Sequence, residues 1–267
     1  HTLLAGLAEG RLLGLAHTAA RPSWGASGVG VIANSTVNGW SLSGEARFIA
    51  TGDLATELLV VANIGSDLGL FRVAADQTGV VLSKMPTMDQ TRPMGVLQLH
   101  DVTVDSESCL SLDWAEQLEA VLDYSRIALG AEQVGCAQAS LDQSVAYVSE
   151  RVQFGRTIAS YQAIKHKLAD MYVKLELARS NAYYGAMVLA QEGADLELAA
   201  ASARISATEA YRFAAQECIQ VHGGIGFTWE ANPQFHYRRS KLLALSLGSA
   251  SRWKNRLVAE LEKSNVA

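Results

Sequence analysis

Apolar residues change their spacing once along this chain, near residue 110. Upstream, short runs alternate between apolar and polar residues and are separated by Gly, Ser and Asn, a pattern typical of β-strands joined by turns. Downstream of Asp113, apolar residues recur every three or four positions, which is the period of an amphipathic helix. The pattern therefore predicts a β domain followed by a helical domain.

The upstream part predicts a small barrel or sandwich, because its strand-like runs are short and closely spaced. The dipeptides Asn38-Gly39 and Ser43-Gly44 are expected to form hairpin turns. The predicted strands cover residues 29–33, 39–42, 47–50, 58–63, 68–74, 80–84 and 96–104.

The downstream part predicts an antiparallel four-helix bundle, because long helical patterns follow one another with short connections. The pairs Phe154-Gly155, Glu192-Gly193 and Gly223-Gly224 are expected at the breaks between helices. The predicted helices cover residues 114–148, 161–191, 195–222 and 232–261. We therefore set the β domain at residues 15–110 and the bundle at 111–267, after a short helical segment at 1–14.

Composition narrows the class of protein. The net charge is −5 and only 18% of the 267 residues are charged, which argues against a nucleic-acid partner, since phosphate binding needs clustered Lys and Arg. The three cysteines are widely spaced and predict reduced thiols rather than disulfides. We find no signal peptide and no apolar run of the roughly 18 residues that a membrane span needs. A soluble, cytoplasmic protein is expected.

Two segments at the predicted helix ends could carry chemistry. The first includes Arg151, whose guanidinium could bind a diphosphate, and the second includes Gly223-Gly224, where exposed N–H groups could approach a ligand closely. Each of these features also has a simpler interpretation. Arg151 could be a solvated charge, and the glycines could form a tight turn between helices. His222, which precedes them, could be a hydrogen-bonded residue at a helix end.

Longer motifs surround both segments. In the bundle they are Glu150-Arg151-Val152-Gln153-Phe154-Gly155-Arg156 with Tyr161-Gln162 and Leu168-Ala169-Asp170-Met171, and Gln220-Val221-His222-Gly223-Gly224-Ile225-Gly226-Phe227-Thr228 with Glu230 and Arg239-Ser240-Lys241-Leu242. Taken together, these motifs closely resemble the acyl-CoA dehydrogenase family. The β-domain run Gly39-Trp40-Ser41-Leu42-Ser43-Gly44-Glu45-Ala46-Arg47-Phe48-Ile49 is similar to the family as well, although its motif is less specific.

The resemblance implies an α+β fold in which a middle β-barrel precedes a four-helix bundle. The family's N-terminal helical domain would be largely absent, with residues 1–14 as its remnant; His1 starts inside a helical pattern without an initiator Met, so a longer chain is expected. In the family FAD lies between barrel and bundle, and its adenine-diphosphate end reaches a neighbouring subunit. By resemblance, the residues that hold this end are Arg151, Gln153, Phe154, Gln162, Gln220, Gly223 and Gly224.

The residue expected to act as the catalytic base is missing. Family members remove the α-proton of an acyl-CoA thioester with a Glu, at one of two positions that match Leu247 and Ser125 here. No catalytic residue is therefore assigned. Helical spacing turns Asp123 away from Ser125 and places Glu132 about 10 Å along the axis, which makes either a poor substitute.

The flavin side of the cofactor site has also diverged from the family. The family's Thr-Glu-Pro and Gly-Ser-Asp stretch corresponds to Thr18-Ala19-Ala20-Arg21-Pro22-Ser23, and its Trp-Ile-Thr to Phe48-Ile49-Ala50. This chain thus resembles one subunit of the α2β2 acyl-CoA dehydrogenases of bacterial sterol side-chain degradation. There a second subunit supplies the Glu, and the pair shares FAD.

Two alternatives stay open. The chain could form a homo-oligomeric dehydrogenase that uses an unusual carboxylate, such as Glu132 or Glu230, or it could be a scaffold without redox function. The resemblance implies an acyl-CoA substrate, and the family usually passes electrons to an electron-transfer flavoprotein. The acyl chain and the electron acceptor are not readable from the sequence.

Overall fold

The alternating first half of the chain folds as an eight-stranded sheet in the computed structural model, which describes residues 2–19, 23–191, 193 and 195–266. A short helix α1 (Thr2–Ala8) precedes it. The strands are β1 (Leu13–Ala16), β2 (Val31–Thr36), β3 (Gly39–Ile49), β4 (Glu57–Ile64), β5 (Asp67–Ala74), β6 (Val80–Lys84), β7 (Gly95–Asp105) and β8 (Cys109–Ser111).

The strands are ordered β6-β7-β3-β2-β4-β5-β8, and β1 pairs in parallel with β4. One face of the sheet is buried in a single apolar cluster to which β1 through β7 all contribute, including Leu42, Leu58, Phe71 and Leu97. Because a sheet must curl to bring one face of so many strands into one cluster, this is the expected barrel-type domain. Strands β1 and β8 were not predicted, since each is too short to show an alternating pattern.

The expectation of a turn at Ser43-Gly44 is wrong. Both residues lie inside β3, which runs unbroken from Gly39 to Ile49 where two separate strands were predicted. The pairing of β3 with β7 shifts register between Leu42 and Gly44. A Cβ at Gly44 would lie 2.3 Å from the carbonyl oxygen of Gly30, so this glycine serves a β-bulge and a close strand contact.

The other predicted hairpin is confirmed, with its loop one residue earlier than expected. Strands β2 and β3 pair from Val31 with Gly44 to Thr36 with Gly39, which leaves Val37 and Asn38 as the loop. Gly39 therefore begins the second strand, with a φ of 150°.

The helical second half contains α2 (Ala115–Glu150), α3 (Gln162–Ala190), α4 (Leu196–His222), α5 (Pro233–Leu245) and α6 (Ala250–Val266). The division between the two compact units of the chain falls inside α2, at Ala120 and Val121. The bundle core joins α2, α3, α4 and α5 through residues such as Leu141, Leu175 and Tyr211. No described helix is long and apolar enough to cross a membrane.

The prediction of one helix over 232–261 is wrong, because α5 ends at Leu245 and α6 begins at Ala250. At the break, Leu247 and Gly248 have positive φ values of 58° and 108°. The apolar period continues through this region, so the pattern alone did not reveal the interruption. The one residue in this region that indicated a helix end was Gly248, since glycine favours the left-handed conformation in which helices often end.

Arg204 fixes this break from inside the bundle. Its side chain is 1% exposed, and its Nη2 donates to the carbonyl oxygens of Leu243 at 2.5 Å and Ser246 at 2.8 Å. Its Nη1 donates to Gln133 Oε1 at 2.8 Å and to the Thr208 hydroxyl. The guanidinium thus satisfies carbonyl groups that the end of α5 leaves without helical partners. Burial, together with the charge of Arg126, lowers the pKa of Arg204 to about 10, so it stays charged at neutral pH.

We predict that Arg204→Met lowers the free energy of unfolding of the helical unit by about 3 kcal/mol, because several buried acceptors lose their donor. Urea denaturation followed by circular dichroism measures this change. Arg212→Met on the same helix is the matched control, since Arg212 is exposed, and it should change stability by about 0.5 kcal/mol or less. Equal effects of the two substitutions would contradict the role given to Arg204.

Candidate cofactor-binding site

The first predicted segment forms a two-residue hairpin at the end of α2. Strand β9 (Val152–Gln153) pairs with β10 (Arg156–Thr157), and Phe154 and Gly155 form the turn with φ values of 54° and 80°. Two consecutive positive φ values are typical of a type I′ turn, which usually contains Asn or Gly. The sequence predicted a break between helices at Phe154-Gly155 but not the hairpin, because two-residue strands are too short to show an alternating pattern.

Phe154 is held in a conformation that its side chain disfavours. A bulky residue in the left-handed region is a true outlier, and such strain is common at binding sites. Its ring is also 93% exposed. Both the strained backbone and the exposed apolar ring are unfavourable in the isolated chain. Phe154 is therefore a candidate for contact with another molecule.

The hairpin is anchored to the start of α3 by Tyr161. The Tyr161 hydroxyl donates to the carbonyl oxygen of Gln153 at 3.2 Å, and the guanidinium of Arg156 stacks on the Tyr161 ring at 4.0 Å. The backbone N–H of Ile158 donates to the carbonyl of Arg151 at 2.8 Å. These contacts hold Gln162, the first residue of α3, next to the hairpin.

The second predicted segment begins where α4 ends. Gly223 terminates the helix with a φ of 64° and opens a 3₁₀ turn from Gly223 to Phe227. His222 Nδ1 lies 2.7 Å from the carbonyl oxygen of Cys218, one helical turn earlier. This agrees with the simple interpretation of His222 as a hydrogen-bonded residue at a helix end.

The structure brings the ends of α2 and α4 together. The rings of Tyr147 and His222 stack with centroids 4.2 Å apart, and the Tyr147 hydroxyl lies 3.4 Å from the carbonyl oxygen of His222. Arg151 follows one turn after Tyr147, to whose carbonyl its backbone N–H donates. Tyr147 was missed in the sequence analysis, because nothing in an isolated helical pattern marks which tyrosine contacts another helix.

Gly224 differs from its neighbours in having no structural reason to be glycine. Gly223 needs its positive φ, and a Cβ at Gly226 would lie 2.9 Å from the carbonyl oxygen of Ile219. A Cβ at Gly224 would meet nothing within 4 Å, and its φ is not in the left-handed region. A tight contact between helices therefore does not explain this glycine, whereas close approach of an external ligand would.

All seven residues expected to hold the cofactor are exposed. Arg151 has no ion-pair partner among the described residues, and Phe154 projects from the hairpin beside it. The set comprises Arg151, Gln153, Phe154 and Gln162 on the hairpin side, and Gln220, Gly223 and Gly224 on the α4 side.

Neither expected base position offers a proton acceptor. The Ser125 hydroxyl donates to the carbonyl oxygen of Val121 at 2.8 Å, within its own helix. Leu247 packs against the bundle core from the break between α5 and α6. The described residues also contain no cluster of His, Cys, Asp and Glu suited to a metal ion.

Two of the three carboxylates that could substitute for the base are engaged in ion pairs. Asp123 is 2% exposed and pairs with Arg126 at 2.5 Å and with Arg256 at 2.8 Å. Glu132 pairs with Arg239 at 3.0 Å. Glu230 is exposed in the turn after Phe227. The carboxylates of Asp123 and Glu132 are thus occupied by ion pairs within the bundle.

The stretch expected on the flavin side lies partly outside the described residues, which do not include 20–22. Thr18 is fully buried, and its hydroxyl finds no hydrogen-bond partner in the part of the chain that the structure describes. Phe48 lies at a second register shift of β3, between Arg47 and Ile49, and has a φ of 61°. The ring centroids of Phe48 and Trp24 are 6.0 Å apart. This part of the β unit is therefore strained around an aromatic pair.

Comparison with known proteins identifies the family. The family model for the acyl-CoA dehydrogenase C-terminal domain matches residues 114–261. The chain belongs to the acyl-CoA dehydrogenase family. The chain is 35% identical to acyl-CoA dehydrogenase IpdE2 of Mycolicibacterium smegmatis over 215 residues, which is 80% of this chain and 61% of that relative. It thus spans less than two thirds of the length of this relative.

Solved acyl-CoA dehydrogenases share the fold. Butyryl-CoA dehydrogenase from Megasphaera elsdenii superimposes with a TM-score of 0.91 at 27% identity, over 97% of this chain and 70% of that one. The ChsE4–ChsE5 complex from Mycobacterium tuberculosis contains a chain that matches with a TM-score of 0.88 at 25% identity, over 97% of this chain and 68% of that one. The expected fold class, a barrel-type β domain followed by a bundle, is confirmed.

FAD is the cofactor of acyl-CoA dehydrogenases, and the exposed surface described above suits its nucleotide half. An arginine with no partner among the described residues can bind a diphosphate in a forked geometry. An exposed aromatic ring can pack on a heterocycle, and a glycine without close neighbours lets the ligand reach the backbone. The residues present therefore fit this group chemically.

We predict that Phe154→Asn raises the free energy of unfolding by about 1 kcal/mol, because Asn tolerates the left-handed conformation that Phe disfavours. Thermal unfolding of the isolated chain measures the change. Phe227→Asn is the matched control, since Phe227 is 71% exposed but has no positive φ. A destabilised Phe154→Asn variant would show that the ring is needed for folding and not for an external contact.

Proposed function

We propose that this chain is one subunit of an FAD-dependent acyl-CoA dehydrogenase, which binds the adenine-diphosphate end of FAD and leaves proton abstraction to a second subunit. The observation that carries the proposal is the exposed surface around Arg151, Phe154 and Gly224. The chain's own folding does not require any of these three residue types at its position. Arg151 has no ion-pair partner within the described ranges, Phe154 is a strained exposed ring, and Gly224 is a glycine without close neighbours.

The reaction would be the α,β-dehydrogenation of an acyl-CoA thioester. FAD held by this surface would supply the hydride acceptor for the β-hydrogen, and a base would remove the α-proton. In this scheme Arg151 would neutralise the diphosphate, and Phe154 would pack on the nucleotide. The turn at Gly223 and Gly224 would offer backbone N–H groups to the cofactor. Gln153, Gln162 and Gln220 would donate or accept hydrogen bonds at the rim of the same surface. Acyl-CoA is the proposed substrate class.

The second subunit is proposed because this chain carries no carboxylate at either of the two positions where the family places its base. Ser125 donates its proton within α2, Leu247 is apolar, and Asp123 and Glu132 are held by arginines. A carboxylate from another chain would complete the reaction. The similarity to a chain of the ChsE4–ChsE5 complex supports a shared site. An α2β2 complex acting on sterol side chains is the form we favour.

The homo-oligomeric alternative rests on Glu230, which is exposed and has no ion-pair partner among the described residues. A scaffold without redox function is disfavoured, because a scaffold gains nothing from a strained aromatic ring at an exposed turn. Transfer of electrons to an electron-transfer flavoprotein and a cytoplasmic location remain part of the proposal.

The proposal predicts that the purified chain alone is colourless, and that it becomes yellow when co-expressed with a second acyl-CoA dehydrogenase subunit encoded nearby. Flavin quantification should give one FAD per pair of subunits. Arg151→Ala in the mixed complex should lower the FAD content by about tenfold, because a charge-assisted contact is lost. Arg212→Ala, at an exposed arginine outside this surface, is the control. A yellow isolated chain that oxidises a thioester would refute the shared site.

A second prediction separates binding from folding at the glycine turn. Gly224→Ala should leave the stability of the isolated chain unchanged or slightly higher, since its Cβ meets no atom, and should lower FAD retention in the complex. Gly135→Ala is the control, because Gly135 is an exposed glycine within α2 whose Cβ also meets nothing. Full retention of FAD by the Gly224 variant would contradict the proposed approach of the ligand.

A further inference from the structure

A groove between α4 and α6 carries positive charge that the chain does not neutralise. It has a volume of about 340 Å³. Its walls include Ile205, Arg212, Phe213 and Gln216 from α4, and Ala250 and Lys254 from α6. None of these residues belongs to the family motifs identified in the sequence.

The charges in the groove favour an anion. Among the described residues, neither Arg212 nor Lys254 has a hydrogen-bond or ion-pair partner, and both are exposed. The one acid in the lining, Glu209, is already paired with Lys174 at 3.1 Å. Two cations therefore face the groove without local compensation, although the whole chain carries a net charge of −5.

The walls combine this charge with apolar and amide surface. Arg212 presents a planar fork of donors, which matches phosphate oxygens better than a single ammonium does. Phe213 and Ile205 supply apolar surface beside it, and the Gln216 amide can donate or accept. An anion with an attached organic group fits this combination better than a bare halide.

The groove lies on the same face of α4 as Gln220 but at a distance from it. Arg212, Gln216 and Gln220 are spaced four residues apart, so they share one side of the helix. Eight residues separate Arg212 from Gln220, which is about 12 Å along the helix axis. A ligand in the groove therefore does not have to compete with one at the Gly223–Gly224 turn.

We propose that Arg212 and Lys254 form an anion site for the phosphoryl group of an organic phosphate, separate from the surface around Arg151 and Gly224. The phosphoryl group is held by the arginine fork and the lysine ammonium, and its organic part packs on Phe213. ADP and coenzyme A present both parts of this chemistry, and free pyrophosphate presents the phosphoryl part alone. The site does not depend on the function proposed above.

Titration of the ¹⁵N-labelled chain with sodium pyrophosphate tests the site directly. Backbone amide signals of Arg212, Gln216 and Lys254 should shift in a saturable way at constant ionic strength. The double variant Arg212→Gln, Lys254→Gln should weaken binding by at least about tenfold, since each charged contact is lost. The charge-preserving double variant Arg212→Lys, Lys254→Arg should retain most of it. Tighter binding of ADP or coenzyme A than of pyrophosphate would identify the organic part.

The variant Arg151→Ala distinguishes the anion site from the proposed FAD surface. This variant should lose FAD in the mixed complex but keep the pyrophosphate shifts at Arg212 and Lys254. The anion site is overturned if sodium chloride at equal ionic strength produces the same shifts, or if the wild-type chain and the charge-removing double variant bind pyrophosphate equally. Either result can occur whether or not the chain shares FAD with a partner.

Discussion

A buried guanidinium organises the helical unit. Arg204 lies on α4 and donates to Gln133 on α2 and to carbonyl oxygens at the end of α5. Burying a charge to 1% exposure is costly, and the acceptors of its two terminal nitrogens offset part of that cost, so these acceptors must stay in place. The break between α5 and α6 follows from this constraint. Leu247, at the position where the family places a catalytic Glu, lies in this break, so its location depends on the same contacts.

The candidate site is best understood by asking which of its features the fold requires. Tyr147, Tyr161, His222 and Gly226 are required, because they join helix ends, anchor the hairpin or avoid a backbone clash. Phe154 and Gly224 are not. A protein retains a strained exposed ring and an unconstrained glycine together when something outside the chain uses them. A large planar cofactor with a diphosphate is a chemically consistent partner.

The proposed division of labour between two chains would explain why a surface suited to a nucleotide is present while neither family position of the base carries a carboxylate. Holding the nucleotide end of a cofactor needs charge and an accessible backbone, and these are present on the bundle. Abstracting an α-proton needs a free carboxylate near the substrate, and the candidate carboxylates Asp123 and Glu132 are instead occupied by Arg126, Arg256 and Arg239. The arginine pairs also link α2 to α5 and α6, so these acids contribute to the bundle rather than to chemistry.

The sequence by itself determined the fold class, because period-two and helical hydrophobic patterns are local and extend over many residues. It also marked the segments around Arg151 and Gly223 as a candidate site, because motifs of contiguous residues are visible without a structure. Only the tertiary structure decided that Ser43-Gly44 is a bulge, that the last helix breaks at Leu247, and that Tyr147 meets His222. Each of these depends on an atom distant in the chain: the carbonyl of Gly30, the guanidinium of Arg204, and a ring on another helix. Local periodicity carries no information about such contacts, because they form only when remote segments pack together.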